Sequence, residues 1–170
     1  MRKILLLVVA LGLPGRLAAQ SGGTVSADAV VVTVGMTIAT LRDLNFGTVI
    51  KGVPATVLPT AATAGAWQVT GSANAFVIIS FTLPTQLTNI QALPGSTMPI
   101  SFSAVSAVWQ RATNNPVGGT IFNPATGAVG RFGPPPNPTM YVWLGGTVNP
   151  ALTAKPGIYQ GNVIVSLIYQ

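Results

Sequence analysis

Gly157-Ile158-Tyr159-Gln160-Gly161-Asn162-Val163-Ile164-Val165-Ser166-Leu167-Ile168-Tyr169-Gln170 is the stretch whose reading decides the fold. Alternation at period two places Tyr159, Gly161, Val163, Val165, Leu167 and Tyr169 on one face, with Ile158, Gln160, Asn162, Ile164, Ser166 and Ile168 on the other. That pattern is a β-strand. Both faces turn apolar toward Tyr169, so the strand is expected to need cover on two sides, where an edge-facing antiparallel strand would keep one face polar.

Working outward, Pro and Gly punctuate the chain every ten to fifteen residues and no segment keeps a helical period. Such spacing predicts many short strands in a sandwich or barrel. Strands are expected over 25–34, 36–41, 44–50, 66–70, 75–83, 98–109, 140–144 and 157–169. Within 75–83, Val77, Ile79, Phe81 and Leu83 form the stronger core face; within 98–109 the apolar face switches near Ala104, which predicts a bulge. The run 131–138, with Pro134-Pro135-Pro136, cannot join a ladder and reads as an exposed loop. Gly118-Gly119-Thr120 and Gly145-Gly146-Thr147 lack the Gly-Lys-Ser/Thr of a phosphate loop and read as turns or bulges.

Arg2 and Lys3, the apolar run 4–13 and the small residues Leu17-Ala18-Ala19 have the layout of a cleaved signal peptide, residues 1–19. The apolar run is too short to span a bilayer; an uncleaved interfacial anchor is the alternative. Residues 20–34 then form an N-terminal extension and 35–170 the domain, secreted through the periplasm to the cell surface or beyond. Residues 20–170 retain Arg42, Lys51, Arg111, Arg131 and Lys155 against Asp28 and Asp43, a net charge of +3. These cations are scattered, so no nucleic-acid surface is expected. Hydrophobic residues make up 49% of the chain and charged ones only 6%, which argues against disorder and for a molecule prone to self-association.

Histidine, cysteine and glutamate are all absent. A hydrolase triad lacks its base, a zinc site its usual ligands and a glycosidase its carboxylate pair, so no enzyme, metal site or small-molecule cofactor is expected. Asp43, after Arg42, reads as a solvated turn residue; its alternative is the acid beside an intramolecular Lys–Asn crosslink. Leu93-Pro94-Gly95-Ser96-Thr97 loosely matches a sortase motif but is internal, with no apolar tail behind it. Trp67, Trp109 and Trp143 read as core, with Tyr141 and Trp143 the better candidates for an exposed ligand-contacting face.

Gly157, fourteenth from the end, penultimate Tyr169 and the alternating residues between them resemble the C-terminal signature of chaperone–usher pilus subunits. Leu44-Asn45-Phe46-Gly47-Thr48, Trp67-Gln68-Val69-Thr70-Gly71, Ile79-Ser80-Phe81-Thr82-Leu83-Pro84, Leu144-Gly145-Gly146-Thr147-Val148 and Pro156-Gly157-Ile158-Tyr159-Gln160-Gly161 follow in order. Over residues 36–170 this is similar to uncharacterised secreted bacterial domains marked by Leu-Asn-Phe-Gly and Gly-x-Tyr-x-Gly, and it resembles spore-coat-protein-U-like and archaic chaperone–usher subunits. The resemblance implies an immunoglobulin-like β-sandwich that lacks one strand and is completed by donor-strand exchange. It also implies a periplasmic chaperone, an outer-membrane usher and copies of the chain as partners. Those relatives often carry a disulfide near the position of Gly35 or Met36; this chain has no cysteine.

The candidate donor is the arm 24–34, where Val30, Val32 and Val34 share one face and Val25, Ala27, Ala29 and Val31 the other. Val30, Val32 and Val34 of one molecule are expected to meet the strand bearing Gly157, Val163, Val165, Leu167 and Tyr169 of the next, by strand addition. The function expected is therefore a structural subunit of a surface fibre, polymerising non-covalently. Two alternatives stay open: 25–34 is the first strand of its own complete sandwich, acting as an adhesin or carbohydrate-binding module, or the chain is an outer-membrane barrel.

Overall fold

The computed structural model describes residues 35–91 and 96–170 and the backbone of 22–31. The expected signal peptide and Val32 and Val34 lie outside the described residues. Fourteen strands follow in chain order: β1 (Gly22–Val31), β2 (Thr37–Arg42), β3 (Leu44–Thr48), β4 (Ala55–Val57), β5 (Gly65–Thr70), β6 (Phe76–Thr82), β7 (Gln86–Asn89), β8 (Thr97–Ser101), β9 (Ala107–Arg111), β10 (Thr120–Phe122), β11 (Ala128–Arg131), β12 (Thr139–Leu144), β13 (Gly146–Val148) and β14 (Ile158–Tyr169). There is no helix among the described residues, and the fold is an all-β sandwich.

One sheet has five strands in the order β10-β9-β12-β5-β2. The other has nine, running β11-β6-β14-β7-β8-β13-β4 with β1 and β3 continuing from β14. β14 is the hub because it is long enough for two partners along one edge: β6 takes Ile164–Tyr169 and β7 takes Tyr159 and Gln160. All pairings are antiparallel except that of β1 with β14.

The core lies between the sheets and joins Trp67, Val69, Met140 and Val142 of the smaller sheet to Val77, Ile79, Tyr159, Val163, Val165 and Leu167 of the larger. Trp67 meets Phe81 edge-on across it, with ring centroids 5.9 Å apart. The period-two reading of 157–169 holds for the inner face. Among the described residues nothing covers the end of its outer face: Ile168 is 49% exposed and stands there beside Ile78, which is also exposed.

Two further expectations need correction. The single strand at 98–109 is two strands in different sheets, β8 and β9, joined by a corner in which the Ser106 amide donates to the Ser103 carbonyl (3.1 Å) and the Ser103 amide to Ser106 Oγ (2.8 Å). The face switch near Ala104 marks this change of sheet, not a bulge. The loop expected over 131–138 is exposed only over residues 134–137: Arg131 ends β11, and Phe132 is fully buried against Tyr169. Gly145-Gly146-Thr147, read as a turn or bulge, breaks the strand at Gly145, between β12 of one sheet and β13 of the other, and the Thr147 hydroxyl bonds that of Thr56 on β4 (2.8 Å).

Candidate strand-exchange interface

β14 and β3 stand one strand apart, and β1 fills the gap. On one side β1 runs parallel to β14 over its whole length, from Gly22 opposite Ile158 to Val31 opposite Leu167. On the other side it runs antiparallel to β3, with Gly22 opposite Thr48, Gly23 opposite Gly47, Thr24 opposite Asn45 and Val25 opposite Leu44. Among the described residues the ladder to β3 covers Gly22–Val25 alone, while β14 holds all ten residues. Within one chain, then, the sheet is closed by its own N-terminal strand. The missing strand expected from sequence is not missing here.

The register sets which residues of β1 stand level with which residues of β14. Val25, Ala27, Ala29 and Val31 stand level with Gly161, Val163, Val165 and Leu167, the inward residues of β14. Val30 stands level with Ser166, an outer-face position. Val163, Val165 and Leu167 are buried, as a slot floor requires, and Tyr169 is half-buried with its hydroxyl accepting the Ser72 amide at 2.8 Å.

The two sequence marks prove to be the two walls of this slot. Leu44 and Phe46 of Leu-Asn-Phe-Gly are buried, Asn45 Oδ1 accepts the Gly47 amide at 2.7 Å, and the segment pairs with Gly22–Val25. Tyr159 and Gly161 of Gly-x-Tyr-x-Gly pair with Gly23 and Val25 of the same four residues. Tyr159 is fully buried; it donates to the Lys155 carbonyl at 2.7 Å and lies 2.6 Å from Ser96 Oγ, so the Ser96 hydroxyl donates to it. Gly157 adopts φ +148° against the side chain of Asn89, which itself donates to the Pro156 carbonyl at 3.3 Å. A Cβ there would clash with Asn89 and strain the backbone. Sequence reasoning took β14 as one wall and missed that β3 is the other; the signal was the Leu-Asn-Phe-Gly mark itself.

The second candidate surface fares differently. Tyr141 and Trp143 lie on the outer face of the five-stranded sheet and stack at 6.0 Å, 23° from parallel. Trp143 is buried, as its reading as core requires and not as a ligand-contacting face would: it is 1% exposed and packs with Ala66 of β5 and Val108 of β9, its neighbours across the ladders. Tyr141 is half-buried between Gln68 and Gln110. Of the described cations, Arg42 binds the Ala64 carbonyl (2.8 Å), Arg111 the side chain of Asn74 (2.6 Å) and Arg131 the Asn74 carbonyl (3.0 Å) while covering the Phe76 ring. They are structural ties.

The model of a domain of unknown function (DUF4402) matches residues 36–169. No curated protein matches the chain. The matched span contains both walls of the slot and ends before Gln170, but it begins after β1.

Proposed function

We propose, for a chain that belongs to the DUF4402 family and whose slot-filling strand lies outside the family's matched span, that it is a secreted structural subunit of a bacterial surface fibre in which β1 of one molecule enters the slot of the next. The observation that carries the reading is that both sequence marks line one gap, and that the segment between them comes from the N-terminal extension. The resemblance of the same marks to chaperone–usher subunits supports a periplasmic chaperone and an outer-membrane usher as partners.

Two physical points favour exchange. In cis the long ladder to β14 is parallel, less stable per residue than the antiparallel ladder that a strand entering the slot in the opposite direction would make. The second edge of β1 is paired over only four residues among those described. A head-to-tail contact of this kind is heterologous and open-ended, hence a fibre. The competing reading, a self-complete adhesin or carbohydrate-binding module, is favoured by the pairing of all ten residues of β1 within its own chain.

A disulfide lock separates them. Ser26 and Asn162 are register partners, and neighbouring strands lie about 4.8 Å apart, within the span a disulfide bridges. Oxidised Ser26→Cys/Asn162→Cys protein keeps β1 in cis. Under the fibre reading the oxidised form stays monomeric in sedimentation and electron microscopy, while the reduced form chains. Equal assembly in both states, or none in either, refutes strand exchange.

A further inference from the structure

We infer that the pole of the sandwich at which the chain enters β1 docks on an anionic phospholipid bilayer. Gly22, the first residue of β1, is paired there with Thr48 and Ile158. Two turns stand beside it. Residues 50–53 form one, closed by the Val53 amide on the Ile50 carbonyl at 3.1 Å; residues 151–154 form the other, closed by the Ala154 amide on the Ala151 carbonyl at 3.0 Å. The Gly52 amide donates to the Pro150 carbonyl at 2.8 Å and Leu152 packs onto Gly52, so the turns form one unit.

Their tips project apolar side chains into solvent, Ile50 69% and Leu152 81% exposed, with Val53 beside them. Lys51 and Lys155 flank these tips. They are the two cations of the domain whose ammonium groups have no hydrogen-bond or ion-pair partner among the described residues. Neither segment, 49–54 or 149–157, contains an acid. Asp43 sits at the far end of β3, and Asp28 stands level with Ile164, six positions up β14.

Protruding aliphatic tips ringed by unpaired lysines suit a lipid headgroup layer, where the tips enter the acyl boundary and the lysines meet phosphate. A protein interface would favour aromatic residues and avoid lysine, and these segments hold no aromatic residue. The route of the chain points the same way. The apolar run 4–13, headed by Arg2 and Lys3, is joined to this pole by residues 14–21. Eight extended residues reach at most about 28 Å, so while the run is membrane-bound this pole is held beside the bilayer. The turn unit and its lysines belong to the domain under either reading of β1, while the route of the chain applies to the cis arrangement.

The test is vesicle flotation with protein of residues 20–170, which carries every strand of the fold. Vesicles are phosphatidylcholine alone, or mixed with roughly equal phosphatidylglycerol. Binding to the mixed vesicles is expected, weakening as salt rises. Lys51→Gln/Lys155→Gln should lower that affinity by about 25-fold, the product of roughly 5-fold per lysine. Ile50→Ser/Leu152→Ser should lower it on both vesicle types by about 10-fold or more. Val117→Ser/Ile121→Ser, exposed apolar residues in and after the β9–β10 connection, should leave it unchanged. No binding to mixed vesicles overturns the inference. So does binding that the pole variants leave intact, and so does loss of chain–chain association with vesicle binding preserved, which would mark a protein interface.

Discussion

Replacing Tyr159 by Phe removes one oxygen from a fully buried site and leaves the ring in place. Two groups lose their partner: the Ser96 hydroxyl, 2.6 Å away and itself buried, and the Lys155 carbonyl at 2.7 Å, which is partly accessible and can be rehydrated. An unsatisfied buried polar group costs on the order of 1–3 kcal/mol. With one such group and one recoverable carbonyl, the loss is about 2 kcal/mol. For a domain of this size each kcal/mol lowers Tm by roughly 2–4 °C, so a drop of about 4–8 °C is expected. Tyr169→Phe is the control: its hydroxyl accepts the Ser72 amide at 2.8 Å in an exposed setting, where water substitutes, and the drop should be under about 3 °C. Circular dichroism melts measure both. The double variant Ser96→Ala/Tyr159→Phe should cost less than the sum of its parts, because removing both partners leaves one orphan fewer. Equal shifts for the two tyrosines, or strict additivity with Ser96→Ala, would refute the account of Gly-x-Tyr-x-Gly as a buried hydrogen-bonded anchor for the slot wall.

Gly157→Ala should destabilise by about 2 kcal/mol or more, because the new Cβ meets Asn89 at a φ that side chains avoid; adding Asn89→Ala should recover part of the loss in urea midpoints. Trp143→Ala should cost about 3–5 kcal/mol although Trp143 lies on an outer face, since its ring is buried with Val108 and Ala66; a loss below about 1 kcal/mol would mean the ring is open to solvent. Stability should be nearly flat between pH 5 and 7, with Tm moving by less than about 2 °C, because a chain without His, Glu or Cys has no side chain that ordinarily titrates in that window.

The strongest sequence signals survive because they are local. Period two over 158–169 needs only the strand itself, and a twelve-residue pattern leaves no helical alternative. The short strands β4, β7, β10, β11 and β13, of three or four residues, have too few positions to show a period. They exist because distant segments pair with them, as β13 does with β4 some ninety residues earlier. The corner at 103–106 was hidden because each half keeps its own alternation and only the switch of face betrays a change of sheet.

Sequence by itself determined the all-β class, the inner face of β14 and the lack of histidine, cysteine and glutamate, since composition and alternation carry those directly. Only the tertiary structure decided that β3 is the second wall, that β1 closes the gap in cis, and that Val25, Ala27, Ala29 and Val31, not Val30, stand level with the core residues of β14. Both valine-rich faces of that arm are apolar enough to be buried. Which one meets the core is a matter of register, and a shift of one residue exchanges the two faces; register is set by partners more than a hundred residues away.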